Sequence, residues 1–232
     1  MTSSSACSPF DQQKFPDEAV LTAAVDRQYV SGAGYEAAKR LIDVVGALFL
    51  LTFGLPLLGT IALGVKFTSR GPVLFAQRRL GRRGEFFQCF KFRTMVADAE
   101  ARLSTSQELS AEFEANYKIK NDPRVTRVGA FLRRTSLDEL PQLWNVVRGE
   151  MSLVGPRPII EPELVKYGAD AGRLVSVKPG LGGLWQVSGR SDTTYAERVA
   201  MDMTYIDSRS LALDLRLLLK TAVVVLRGRG AY

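Results

Sequence analysis

Val44-Val-Gly-Ala-Leu-Phe-Leu-Leu-Thr-Phe-Gly-Leu-Pro-Leu-Leu-Gly-Thr-Ile-Ala-Leu-Gly-Val65 is a run of 22 residues without a charge in a chain of 232. As one helix it would be about 33 Å long, enough to cross the hydrocarbon core of a bilayer. It exceeds the length usual for a buried core helix. It also starts too far into the chain for a secretory signal, behind a polar, mildly acidic stretch with no cationic start. Pro56 sits mid-run between Gly54 and Gly59, where a proline removes a backbone hydrogen bond and bends the helix. Lys39 and Arg40 precede the run and a cationic cluster follows it, as expected if both ends face the cytoplasm. A straight span and a broken hairpin that enters one leaflet and returns both satisfy these residues.

Directly behind the run, Lys66, Arg70, Arg78, Arg79, Arg82, Arg83, Lys91 and Arg93 stand against the single acid Glu85, equal to the whole net charge of +7. Such a balance favours an anionic partner. The chain has no histidine, which excludes Ser-His-Asp and Cys-His nucleophile systems and His-ligated zinc. Cys7 and Cys89 form no CxxC pair, and Cys89 lies in an apolar run, so a reducing compartment is expected. There is no Walker A, G-x-G-x-x-G, D-x-D or D-D-x-x-D pattern.

Residues 1 to 34 read as a flexible tail, with a short helix over Asp17–Tyr29. Val73–Gln77 and Glu85–Phe92 are strand candidates joined by a turn at Gly81 and Gly84. Ala97–Lys118 reads as a surface helix. Arg148–Arg190 is too rich in Gly and Pro for long elements. Tyr195–Ser208 and Leu211–Leu226 are helical; the latter, with Arg216 and Lys220 one turn apart, suits either a membrane interface or the domain core.

The sharpest local pattern is Arg133-Arg134-Thr135-Ser136-Leu137-Asp138-Glu139-Leu140-Pro141. Ser136 and Glu139 fit a capping box, and Pro141 fits a helix start, so a purely structural reading is available. The chemical reading uses the same turn. An Asp at a helix N-terminus is held ionised and suits a carboxylate nucleophile, and the adjacent Glu suits a divalent cation. Lys91 and Arg93 place two cations on one face of a strand end, and Arg157 is fixed between Pro156 and Pro158, where restricted backbone favours presenting it to a phosphate. Each of these elements alone reads first as a surface ion pair; three of them beside an apolar segment point to a phosphate-handling site. Attack on phosphorus by one anion after another needs positioning, Mg²⁺ and cations, and no imidazole base.

Taken in order, Lys39-Arg40…Asp43, Pro56, Lys91-Phe-Arg-Thr-Met95, Asp122-Pro-Arg-Val-Thr126, Leu137-Asp-Glu-Leu-Pro-Gln-Leu-Trp-Asn145, Gly149-Glu-Met-Ser-Leu-Val-Gly-Pro-Arg-Pro158 and Lys178-Pro-Gly180…Trp185-Gln-Val-Ser-Gly-Arg190 resemble the bacterial sugar transferase family, the monotopic phosphoglycosyl transferases. The resemblance covers residues 35 to 232. It is closest to the exopolysaccharide-initiating undecaprenyl-phosphate galactose phosphotransferases.

The resemblance implies an α+β fold: a re-entrant membrane hairpin over 35–68, broken at Pro56, and a small, mainly helical catalytic part over 69–232 with a short β-hairpin and interfacial helices. It implies an enzyme on the cytoplasmic face of the bacterial inner membrane. That enzyme would move a hexose 1-phosphate from a UDP-hexose to undecaprenyl phosphate with release of UMP. Asp138 would form the covalent phosphosugar intermediate and Glu139 would bind Mg²⁺. Lys91, Arg93, Arg133 and Arg157 would surround the diphosphate, and Asp202 matches a further site acid. Nucleic acid is not an expected partner, and a homodimer is a reasonable assembly. Two other readings are a non-catalytic module binding anionic lipid through the 66–93 cluster, and a polyisoprenyl-phosphate glycosyltransferase releasing UDP. Two departures stand out: Leu55 precedes Pro56 where relatives commonly have Ser, and Gly182 replaces a usual Thr, removing a hydroxyl from a loop near the substrate.

Overall fold

In the computed structural model, residues 32–116, 119, 122–188 and 193–227 are described, the side chains of 113–116, 226 and 227 excepted. The tail with its short helix and Cys7, Lys118, Gly189-Arg190 and the last five residues lie outside them.

The apolar run forms one helix, α1 (Ala33–Thr68), which carries Pro56 inside it; two separate limbs are not seen. Among the described residues it is the one helix long and apolar enough to cross a membrane. Its two ends both pack on the rest of the chain. Near the start, Arg40 donates to the carbonyls of Val146 and Val147 at 2.6 and 2.8 Å, and Asp43 accepts from Leu153 N–H at 2.9 Å and the Ser152 hydroxyl at 3.0 Å. Near the finish, Ile61 and Val65 pack with Phe92 and Leu132. Between these anchorages the side chains stand clear: Phe49, Phe53, Leu55 and Leu57 are exposed, Phe53 to 72%.

After α1, β1 (Leu74–Leu80) and β2 (Phe86–Phe92) pair antiparallel, Leu74 opposite Phe92 and Leu80 opposite Phe86. The expected glycine turn is present: Gly81 N–H donates to Glu85 O, and Arg83 and Gly84 take positive φ. The expected surface helix is instead two, α2 (Ala99–Thr105) and α3 (Gln107–Asn116), because Ser106 is extended. Then come α4 (Arg127–Thr135), a 3₁₀ turn at Leu137–Glu139 and α5 (Gln142–Arg148). The Gly/Pro-rich region holds only short elements, as its composition dictates: β3 (Ser152–Val154), a 3₁₀ segment over Glu161–Asp170, α6 (Ala171–Leu174), β4 (Gly180–Gly182) and α7 (Leu184–Ser188). β3 and β4 pair in parallel. The described chain ends with α8 (Tyr195–Ser208) and α9 (Leu211–Arg227).

The main core gathers Ala47 from α1, Cys89 from β2, Leu143 and Val146 from α5, Val154 from β3, Tyr205 from α8 and Leu217 from α9. Asn145, fully buried on α5, pins that helix to β2: its amide accepts from Phe90 N–H and donates to Gln88 O at 2.7 Å. The last helix packs on the core by one face and leaves apolar side chains on the other. Leu217 and Asp214 of α9 are buried, while Leu215, Leu219 and Val223 remain exposed. The fold is therefore a mixture of helices and two small sheets, with α1 serving as one wall of its core.

Candidate active site

Asp138 and Glu139 lie in the 3₁₀ turn that links α4 to α5. The geometry differs from the capping box that the sequence suggested. Ser136 is the left-handed residue closing α4, with φ 58°, and its side chain makes no capping bond. Glu139 is thereby released from the backbone, and its Oε1 accepts from Lys91 Nζ at 2.6 Å. Asp138 is 8% exposed.

α4 is held in place by two contacts. Thr126 caps it, its hydroxyl accepting from Gly129 N–H at 2.9 Å. Gly129 then lies flat on the β2 extension: a Cβ at 129 would stand 2.0 Å from Thr94 O, so only glycine allows this approach. Arg133, one turn further, donates from Nε to Thr94 Oγ1 at 2.9 Å and bears on the charge of Asp138. The Asp122-Pro-Arg-Val-Thr126 segment is structural support: Arg124 and Asp122 form a buried pair at 2.7 Å just ahead of the cap.

The charges make the two acids unequal. Burial pushes Asp138 above the ordinary carboxylate range and the neighbouring Glu139 charge adds to this, with Lys91 and Arg133 offsetting only part. Burial would raise Glu139 too, but Lys91, Arg157 and Arg79 outweigh it and hold Glu139 below its usual range. Asp138 sits in a short 3₁₀ turn and not at the head of a long helix, and burial raises its carboxyl against the pull of Lys91 and Arg133.

The sequence-derived cations separate. Lys91, Arg133 and Arg157 all act on the acid pair. Arg93 is committed elsewhere, donating to Ser69 O at 2.7 Å, to Ser69 Oγ and to Pro72 O, so it fastens the segment behind α1. Asp202, on α8, is 1% exposed and accepts from the Tyr167 hydroxyl at 2.8 Å; burial pushes its carboxyl up to about 7, against the pull of Arg157 and Arg198. Gly182 faces α9, where a Cβ would stand 2.8 Å from Thr221 Oγ1. Glycine at 182 thus makes room for Thr221.

Several contributors escaped the sequence reading. Arg79 is buried, donating to Pro158 O at 3.0 Å and facing Glu163 at 3.5 Å, while its neighbour Arg78 lies over the Phe86 ring. Strand alternation would have told the two apart. Tyr195 donates to Glu163 at 3.2 Å, and its ring meets that of Tyr167 edge-on. Arg157 and Arg198 both approach the indole of Trp185, at 5.9 and 4.8 Å from the ring centroid.

Among the described residues no group of three or more Asp, Glu, His or Cys could hold a metal by itself. Two adjacent carboxylates do suit Mg²⁺, which commonly takes one or two acids and fills its remaining positions with substrate phosphates and water. The fold and site together define a protein with one long apolar helix and a carboxylate pair, Asp138 buried and Glu139 part-exposed, ringed by cations, a combination suited to phosphate chemistry beside an apolar phase.

The family model for bacterial sugar transferases matches residues 34–228, and the chain belongs to that family. It is 50% identical over 198 residues to the UDP-galactose-lipid carrier transferase of Erwinia amylovora, covering 84% of this chain and 41% of that protein. It is 47% identical over 199 residues to the undecaprenyl-phosphate galactose phosphotransferase of Salmonella typhimurium, again 84% of this chain and 41% of the relative. Identity is also 47% to the exopolysaccharide production protein ExoY of Rhizobium meliloti, over 84% of this chain and 88% of ExoY. The chain thus spans about two fifths of the first two relatives and most of the third.

Proposed function

We propose that the chain is a phosphoglycosyl transferase that moves a hexose 1-phosphate from a UDP-hexose to undecaprenyl phosphate and releases UMP, an initiating step of exopolysaccharide assembly. The observation that carries this reading is the buried Asp138 beside a Glu139 bound to Lys91, within the electrostatic reach of Arg133 and Arg157, in a chain of the bacterial sugar transferase family. Names of relatives that include galactose and glucose phosphotransferases acting on undecaprenyl phosphate support the substrate class.

In this reading an ionised Asp138 oxygen attacks the β-phosphorus of the sugar nucleotide. A bond forms between that oxygen and phosphorus, the bond to the bridging oxygen breaks, and UMP departs with that oxygen. The phosphate of the lipid acceptor then attacks the same phosphorus and returns Asp138 to its free carboxylate. Both nucleophiles are anions, so no histidine is required. Lys91 and Arg133 draw Asp138 toward its ionised form. Glu139, with Asp138 beside it, is the residue that would hold Mg²⁺, which supplies charge neutralisation for the transferring phosphate.

The membrane arrangement in this reading rests on α1. Arg40 and Asp43 at one side of the apolar run and Ile61 and Val65 at the other all pack on the same body, which favours a re-entrant helix bent at Pro56 over a straight crossing. Both ends and the catalytic part would lie on the cytoplasmic face of the inner membrane. The test is purified protein supplied with undecaprenyl phosphate and, in turn, UDP-galactose, UDP-glucose and their N-acetyl forms. UMP and a lipid-linked sugar diphosphate are expected; UDP as the product would show transfer of the sugar alone, and no nucleotide product would leave only a lipid-binding role.

A further inference from the structure

Two guanidinium groups share one indole, that of Trp185. Arg198, on the second turn of α8, lies 4.8 Å from the Trp185 ring centroid, and Arg157, on the Pro-Arg-Pro segment, lies 5.9 Å from it. Trp185 is only 7% exposed, so its ring serves as a platform for the two cations and offers no open face to a base. Thr193 Oγ1 accepts from Arg198 Nε at 3.2 Å and so sets the direction of the fork. Among the described residues neither guanidinium has a carboxylate within ion-pair distance, whereas Arg79 faces Glu163 and Lys91 holds Glu139. Asp202 is close enough to feel both arginines, yet its bonded oxygen is taken by Tyr167 and burial favours its neutral form. The charge of Arg157 also opposes that of Arg198, so the pair is held together against its own repulsion. An anion placed between them would relieve that repulsion, and two forks of planar donors match phosphate oxygens.

The electrostatic neighbours of Arg157 give this anion a place in the reaction. Arg157 acts on Glu139 on one side and on Arg198 and Asp202 on the other. A diphosphate with one phosphorus at the Asp138–Glu139 pair has its second phosphate a single bridging oxygen away, and Arg157 is the cation that acts both on Glu139 and on Arg198. We infer that Arg198, with Arg157 on the Trp185 platform, binds the nucleoside-side phosphate of the sugar nucleotide and retains it as the departing nucleoside monophosphate. Arg198 is thereby a substrate-binding residue outside the acid pair, and it discriminates the nucleotide donor from the lipid acceptor. The inference rests on the phosphoglycosyl transferase reading given above.

The experiment uses the full chain with Trp144→Phe, which leaves Trp185 as the sole tryptophan, and compares it with Arg198→Gln and Arg198→Lys on that background. UMP is titrated while tryptophan emission is followed, and steady-state constants for UDP-hexose and undecaprenyl phosphate are measured in parallel. UMP is expected to change the emission, with Arg198→Gln needing at least about tenfold more UMP and Arg198→Lys an intermediate amount. KM for the UDP-hexose rises in step while KM for undecaprenyl phosphate stays put. An unchanged UMP constant in Arg198→Gln overturns the inference, including where turnover falls because α8 is disturbed, and so does a rise confined to the lipid KM. A parent protein that turns over without releasing UMP overturns the underlying reading instead, and is recognised without any variant.

Discussion

Lys91 Nζ stands 2.6 Å from Glu139 Oε1, joining the end of β2 to the 3₁₀ turn across 48 residues of chain. This contact keeps the second acid of the pair charged while the first is pushed toward its neutral form. Replacing Lys91 by Met leaves burial of Glu139 unopposed by its nearest cation. We expect turnover to fall by about 10²–10³-fold, the scale of losing one positioned donor at a reacting oxyanion. Steady-state kinetics of Lys91→Met and Lys91→Arg measure it, and full activity in Lys91→Met would remove Lys91 from the mechanism.

Asp138→Asn should abolish both the lipid-linked product and any covalent sugar-phosphate adduct. Intact-protein mass spectrometry after exposure to UDP-hexose without acceptor reads the adduct directly; an adduct in Asp138→Asn would place the nucleophile elsewhere.

The pH dependence of that adduct has a defined sign. Asp138 is raised by burial and then by the Glu139 charge, so its formation should climb with pH over a range above that of ordinary carboxylates. Removing the neighbouring charge with Glu139→Gln should move the limb to lower pH, whatever its effect on the maximum rate. Single-turnover rates across pH test this, and a shift to higher pH contradicts the electrostatics described.

Asp202 gives a separate pH effect on stability. Its carboxyl is raised to about 7 in the folded chain, so the native state retains a proton that the unfolded chain gives up near pH 3.8. The stabilisation is complete below the unfolded value and is lost as pH rises through the folded one. Stability should therefore decline between about pH 4 and 7 by an amount that Asp202→Asn abolishes, read from denaturant unfolding midpoints at several pH values. Equal slopes in the two proteins would remove Asp202 as the cause.

Gly129→Ala introduces a Cβ 2.0 Å from Thr94 O, a backbone atom that cannot step aside alone. α4 must lift, carrying Arg133 away from Thr94. A loss of at least about 2 kcal/mol is expected, with a fall in activity beyond what the unfolded fraction explains. Thermal melts and kinetics below the melting range check both parts.

With Cys7 and Cys89 replaced by Ser, Gly32→Cys and Arg70→Cys each place a single cysteine beside α1, and both native residues are exposed. A re-entrant helix requires that an impermeant thiol reagent reach neither from the periplasm of intact cells and both after permeabilisation. Labelling of one end from outside would establish a straight crossing.

The sequence exposed the apolar run, the β-hairpin with its glycine turn, the final two helices and the acid pair, because each rests on local pattern: absence of charge, alternation, helical spacing and an unbroken motif. What it missed depends on contacts remote in the chain. Ser136 and Glu139 have capping-box spacing, yet the left-handed turn at Ser136 is set by how α4 ends, and Glu139 finds Lys91 instead. Lys91 and Arg93 share strand parity, but Ser69 and Pro72 claim Arg93 only once α1 has folded back onto the hairpin. Asp138 has the motif of an ionised nucleophile, and its raised state emerges only from burial. Arg198 and Trp185 lie in stretches with no shared pattern and meet through the packing of α7 against α8.

α1 is usually the kind of segment that is trimmed away to obtain a water-soluble enzyme. Here excision would uncap the last carbonyls of α5, strip Ser152 and Leu153 of their partner at Asp43, and open the core where Ala47 sits. A soluble derivative must therefore keep the helix and repaint only its outward side, at positions such as Phe49, Phe53, Leu55 and Leu57. The apolar length of the molecule and what closes its interior are the same stretch of chain, so they must be inherited, engineered and lost together.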